Sequence, residues 1–144
     1  MKKIKQISVF IENKQGRLAN VTKILARANI NVRALSVADT SDFGILRMIV
    51  NDPDVAYRHL KEEGFVVSMT EVIAVKIADR PGALNELLET LFASGLNLEY
   101  MYAFCGADSG SAINVIRVDL MDEVCKLLAD KNVEILSGDV VYNL

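Results

Sequence analysis

The chain has 144 residues, the size of one ordinary domain or two small ones, and 51 % are hydrophobic against 24 % charged, which excludes a disordered chain and permits a sizeable core. A net charge of −3, a pI near 5.2 and scattered Lys and Arg, apart from Lys2-Lys3-Ile4-Lys5, argue against nucleic acid as a partner. No apolar run approaches the roughly 20 residues of a membrane span. Met1-Lys2-Lys3 leads into Gln6, Ser8, Glu12 and Asn13 without the apolar segment of a signal peptide, so no membrane partner is expected and the cytoplasm is the expected location.

Residues 4 to 12 alternate, with Ile7, Val9 and Ile11 on one side and Gln6, Ser8, Phe10 and Glu12 on the other, the period of a half-buried strand. The turn Asn13-Lys14-Gln15-Gly16-Arg17-Leu18 follows, and then Leu18, Val21, Leu25 and Ala28, with Ile24 beside them, mark one face of a helix closed by Asn29. Ile30 to Ala38 reads as a second strand, Asp39-Thr40-Ser41-Asp42 as a turn, and Ile45 to Val50 as a third strand. Asp52-Pro53-Asp54 opens a second helix that runs to Glu63 and stops at Gly64, and Phe65 to Met69 gives a fourth strand.

At about Glu71 the pattern begins again with no spacer, and Ile73, Val75 and Ile77 alternate with Ala74, Lys76 and Ala78. The turn Asp79-Arg80-Pro81-Gly82-Ala83-Leu84 leads into a helix with Leu84, Leu87, Leu88, Leu91 and Phe92 on one apolar face and Gly95 at its end. Gly16 and Gly82 are 66 positions apart, as are Ile30-Asn31-Val32 and Leu96-Asn97-Leu98. A strand from Leu98 to Phe104 and the loop Gly106 to Ser111 follow; the loop is two residues longer than its counterpart, so Ile113 to Val118 matches Ile45 to Val50 at an offset of 68. A helix over Asp122 to Asp130 and strands over Val133 to Leu136 and Val140 to Tyr142 complete the second copy.

Each half is therefore β-α-β-β-α-β, an α+β unit of the ferredoxin-like kind with both helices on one face of an antiparallel sheet. The expected domains are residues 1–70 and 71–144. Units of about 70 residues have marginal cores. The two are expected to lie edge to edge or face to face, with one joined eight-stranded sheet as the favoured arrangement. Tyr100, Tyr102 and Phe104 share one side of their strand where the first copy has small residues. They suit either core packing or a covered surface such as a dimer contact or pocket wall.

The repeated strand-to-helix turn carries the chemistry. Glycine lets the backbone bend and a ligand approach, and the first helical turn offers unpaired N–H groups to a carboxylate. Asn13 or Asp79, three positions before the glycine, suits an ammonium group. A carboxylate acceptor beside an ammonium acceptor is what a free amino acid requires. The same residues also suit a plain helix cap and a backbone corner.

Catalytic and metal sites are not expected. Cys105 and Cys125 lack metal or redox spacing, and Cys125 sits among Val124, Leu127 and Leu128 as a small hydrophobe. His59, the single histidine, reads as a solvated side chain, and no cofactor motif is present. The loop Gly106 to Ser111 lacks the lysine of a phosphate loop and reads as an ordinary loop or a lid over a ligand.

The succession of strand, Asp/Asn-x-x-Gly-x-Leu, helix, and a Gly/Asn-Ile/Leu-Asn-Val/Leu step resembles the ACT domain family, small amino-acid-sensing modules, used here as a tandem pair. The second copy carries it in Asp79, Arg80, Pro81, Gly82, Ala83 and Leu84 and again in Gly95, Leu96, Asn97 and Leu98. The first carries it in Asn13, Lys14, Gln15, Gly16, Arg17 and Leu18, then Asn29, Ile30, Asn31 and Val32, with Gln15 in place of the usual proline and Asn13 of the usual aspartate. The resemblance implies a stand-alone, non-enzymatic sensor whose effector amino acid sits at the interface of two modules and acts allosterically on amino-acid metabolism. The implied ligand contacts are Asn13, Gln15, Gly16, Arg17, Leu18 and Asn31 in one copy and Asp79 to Leu84 with Asn97 in the other. A homodimer is expected. The rival expectation is a regulatory subunit that docks on a biosynthetic enzyme without a ligand of its own.

Overall fold

The computed structural model describes residues 2–39, 42–104 and 110–144. Cys105, most of the Gly106 to Ser111 loop and the middle of the Asp39 to Asp42 turn lie outside the described residues. The chain divides into two compact units, Lys5–Thr70 with Tyr142–Leu144 and Glu71–Val141 with residues 2–4.

The first unit takes its strands and helices from β1 (Ile4–Glu12), α1 (Arg17–Arg27), β2 (Val32–Asp39), β3 (Phe43–Val50), α2 (Pro53–Glu62) and the start of β4 (Val66–Ala78). Its strands run in the order β2-β3-β1-β4, with β1 antiparallel to β3 and Ile7 opposite Met48. The alternation read from residues 4 to 12 is what positions the core. Ile7, Val9 and Ile11 pack with Val21 and Leu25 of α1 and Ala56 and Leu60 of α2 in one buried cluster. Asp52 caps α2 by accepting from the Val55 N–H at 3.2 Å, with Pro53 in the first turn.

The second unit continues β4 and adds α3 (Ala83–Ala93), β5 (Leu98–Ala103), β6 (Ser111–Val118), α4 (Met121–Asp130), β7 (Glu134–Leu136) and α5 (Gly138–Val141). Its strand order is β5-β6-β4-β7, all antiparallel. The core repeats position by position. Ile73, Val75, Leu87, Leu91, Ile116, Val118, Val124 and Leu128 stand where Ile7, Val9, Val21, Leu25, Met48, Val50, Ala56 and Leu60 stand in the first unit. Helix ends repeat as well. Asn29 and Gly95 close α1 and α3 with positive φ of 58° and 70°, and the N–H groups of Ile30 and Leu96 donate back to the carbonyls of Leu25 and Leu91.

Four details differ from the sequence reading. Phe65 to Met69 and the strand starting near Glu71 are one 13-residue strand, since no glycine or proline interrupts Val66 to Ala78, and the described residues form seven strands where eight are expected. Val140 to Tyr142 is not a strand; Gly138–Val141 is a single helical turn in which the Val141 N–H donates to the Ser137 carbonyl at 3.0 Å and the Val141 side chain is buried. On α3 the sheet-facing line is Ala83, Leu87 and Leu91, while Leu84 is 42 % and Phe92 85 % exposed, so the apolar stripe is wider than the face the sheet covers. His59 is half-buried rather than fully solvated.

Tyr102 pairs across β5 and β6 with Val115, and the Phe104 N–H donates to the Ile113 carbonyl. Phe104, Ile113 and Val115 are buried, whereas Tyr100 and Tyr102 are half-buried.

The widths of these faces make a stability prediction. Leu87→Ala should cost about 2–5 kcal/mol through the cavity it leaves, whereas Phe92→Ala, on the uncovered side of the same helix, should stay within about 0.5 kcal/mol. Urea unfolding of both variants checks the difference.

Candidate functional site

Each strand-to-helix turn places a left-handed glycine at the start of a helix. Gly16 has φ 85° and ψ −6°, and Gly82 has φ 89° and ψ −17°, a region that costs other residues a clash between Cβ and the backbone. Neither glycine supplies a side-chain cap, so the first turns of α1 and α3 begin with no side chain bonded to their N–H groups. The Arg17 and Ala83 amides are engaged, donating to the carbonyls of Lys14 and Arg80 at 3.3 Å in both copies. The next donors in the turn belong to Leu18 and Ala19, and to Leu84 and Asn85, where the helix partial positive charge is greatest.

The turns are held in place from the side. The Asn13 N–H donates to the Asp42 carbonyl at 3.0 Å and the Asp79 N–H to the Gly110 carbonyl at 3.1 Å, equivalent bonds that tie each corner to the chain entering β3 or β6. Asn13, Gln15, Gly16 and Leu18 are exposed at the first corner, as are Asp79, Arg80, Pro81, Gly82 and Leu84 at the second. Around the first corner, Glu12 accepts from Lys14 at 2.8 Å and lies 3.5 Å from Arg17, and this hydrogen bond, then the two positive charges, hold its carboxyl below the usual carboxylate range. Around the second, Arg80 forms a two-pronged ion pair with Glu86 at 2.8 and 3.1 Å, which raises the guanidinium's pKa further, and also donates to the Pro81 carbonyl.

Beside each corner lies an open cleft. The first, of about 450 Å³, is lined by Phe10, Glu12, Arg17, Phe43 and the α2–β4 turn Glu63 to Val66. The second, of about 560 Å³, is lined at the equivalent positions by Lys76, Ala78, Ala83, Ser111 and the α4–β7 turn Lys131 to Glu134, with Arg80, Glu86, Leu87 and Thr90 alongside. Arg17 and Arg80 are thus the charged residues of the sequence-read corners that reach a cleft. Asn31 and Asn97 are not brought there. They follow the far ends of α1 and α3, about 16 Å along an 11-residue helix from the glycines. There their N–H groups donate to Asn51 Oδ1 at 2.8 Å and Asp119 Oδ1 at 3.3 Å.

The sequence reading missed the side chains that give each cleft its character, because they arrive from β1, from the start of β3 and from the turn after the second helix. The available signal is the 68-residue offset carried past Gly64 to Asn132, which aligns the two turns. Elsewhere in the chain, burial raises the pKa of the Cys125 thiol, which keeps it protonated. Among the described residues no group of three or more His, Cys, Asp or Glu side chains could hold a metal ion, and no helix is long and apolar enough to cross a membrane.

Two tandem βαββαβ units, each with a glycine corner beside a cleft, define a class of paired small modules. Residues 2–143 match the family described as the ACT domain pair, and the chain belongs to that family. No curated protein matches the chain significantly. A crystal structure of a Bacteroides thetaiotaomicron protein is 46 % identical, with a TM-score of 0.93 over 99 % of this chain and 97 % of that one. The regulatory subunit of aspartate kinase from Thermus thermophilus shares the fold at 15 % identity, with a TM-score of 0.66 over 90 % of this chain and 91 % of that one. Its Thermus flavus counterpart does so at 18 %, with a TM-score of 0.62 over 90 % and 92 %.

The left-handed glycines give a direct test of the corner. No atom lies within 4 Å of a Cβ built on Gly16, so Gly16→Ala should lose about 1–2 kcal/mol from backbone strain alone, and Gly16→Asn should lose less. Urea unfolding reads both.

Proposed function

We propose that the chain is a regulatory module, without catalysis of its own, that binds a free amino acid at the strand-to-helix corners and transmits its presence to amino-acid metabolism. The observation that carries this reading is the exposed, uncapped helix start behind a left-handed glycine, present twice at equivalent positions, with Arg17 and Ala83 of the same first turns lining a neighbouring cleft. The amides of Leu18 and Ala19, or of Leu84 and Asn85, receive the carboxylate, and Asn13 or Asp79 assists the ammonium group. The exposed corners suit closure by a neighbouring module, supplied by the second copy of a homodimer. Membership in the ACT domain pair family and the fold shared with aspartate kinase regulatory subunits support a regulatory role. The cytoplasm is the compartment in which such an effector is met.

A second reading, favoured by the exposed Leu84 and Phe92 on α3, is docking of the module on a biosynthetic enzyme without a ligand. A thermal-shift screen over the twenty amino acids separates the two. A ligand that binds only the folded chain raises Tm by mass action. The sensing reading expects at least one amino acid to do so, and expects Asn13→Ala or Asp79→Ala to weaken calorimetric binding at its own corner. If no amino acid raises Tm and the chain instead captures an amino-acid biosynthetic enzyme, the docking reading stands in its place.

A further inference from the structure

The two clefts are built from equivalent backbone positions, yet their side chains differ. Where the first has Phe10, Phe43 and Val66, the second has Lys76, Ser111 and Glu134. Lys76 and Glu134 stand directly opposite each other on β4 and β7, 4.0 Å apart, so an ion pair lies where the first cleft has apolar surface. Phe10, Phe43 and Val66 are 51 %, 55 % and 67 % exposed, although large hydrophobic groups are stable in water only at a cost. Phe65 continues this surface, with the Arg17 guanidinium 6.0 Å from its ring centroid. Arg17 is itself a difference between the copies, since Ala83 takes its place in the second.

From this divergence we infer that the first cleft is the specificity pocket for an amino acid with an aromatic or branched apolar side chain, and that the second cleft does not accept such a side chain. The inference rests on the amino-acid-sensing reading and adds which copy reads the side chain and of what class. A cleft of about 450 Å³ falls within the roughly 300–1,000 Å³ of small-molecule sites, which are mostly apolar with a few placed polar groups. Arg17 adds a planar donor at the mouth to the first-turn amides that receive the ligand carboxylate, while Glu12 and Glu63 add negative charge to the pull of Asn13 on its ammonium group. In the second cleft an apolar side chain would have to strip water from Lys76 and Glu134 with nothing to replace it.

The test is calorimetric titration of the full chain with L-phenylalanine, L-leucine, L-aspartate and L-lysine, repeated on Val66→Glu, Phe43→Ser and Glu134→Gln. The first two variants change exposed side chains, and their unchanged far-ultraviolet circular dichroism verifies folding. Phenylalanine or leucine should bind more tightly than aspartate or lysine, and Val66→Glu and Phe43→Ser should each weaken that binding at least about tenfold, while Glu134→Gln, in the second cleft, leaves it within about twofold. Tighter binding of aspartate or lysine, or phenylalanine binding that survives Val66→Glu and Phe43→Ser, overturns the inference and leaves amino-acid sensing standing. Binding of none of the twenty amino acids removes both.

Discussion

At the starts of α1 and α3, which carry no side-chain cap, one residue turns the backbone through the left-handed region, and glycine does so without a Cβ clash. Gly16 and Gly82 meet that requirement with nearly the same dihedrals. A serine or aspartate cap would have satisfied the first-turn amides internally. With glycine there, those amides keep their hydrogen-bonding capacity for something outside the helix, and the cost in helix stability is borne by the cores of Ile7, Val9 and Leu25 or Ile73, Val75 and Leu91.

The duplication separates what the fold needs from what a site needs. Core positions, helix-end geometry and the backbone bonds of Asn13 and Asp79 recur in both copies, as expected of parts that set architecture. The cleft linings do not recur. Phe10, Phe43 and Val66 in one copy stand at the positions of Lys76, Ser111 and Glu134 in the other. Packing places no demand on such exposed positions, so their divergence is free to record a difference in what each cleft meets.

Most of the architecture was legible because it follows from period and punctuation. The apolar line Ile7, Val9 and Ile11, the 66-residue spacing of the glycines and the Asp52-Pro53 helix start each have a local physical cause that survives into the folded chain, although Gln6 and Ser8, on the side of β1 read as open, are buried as well. What was not legible depends on distant segments meeting. Whether Leu84 and Phe92 are covered is decided by how wide a face the sheet presents to α3, and the stripe itself does not say. Val140 to Tyr142 has strand-like composition, but Ser137 and Gly138 let the chain close a helical turn, and the Tyr142 hydroxyl accepts from the Lys5 N–H at 2.8 Å. At the site, the corner residues were readable as a local motif, whereas Phe10, Phe43 and Val66 belong to three separate segments. Asn31 and Asn97 repeat for a structural reason, since their N–H groups join the chain to Asn51 and Asp119 at the opposite end of the helix.

The central claim is that the first-turn amides behind the two glycines receive a ligand carboxylate. Amide chemical shifts of the nitrogen-15-labelled chain, followed while an amino acid that raises Tm is added, test it most directly. The account predicts that the largest saturable shifts fall on residues 16–19 or 82–85, with smaller ones in the adjoining cleft. Shifts concentrated away from both corners, with these amides unmoved at saturation, would contradict it.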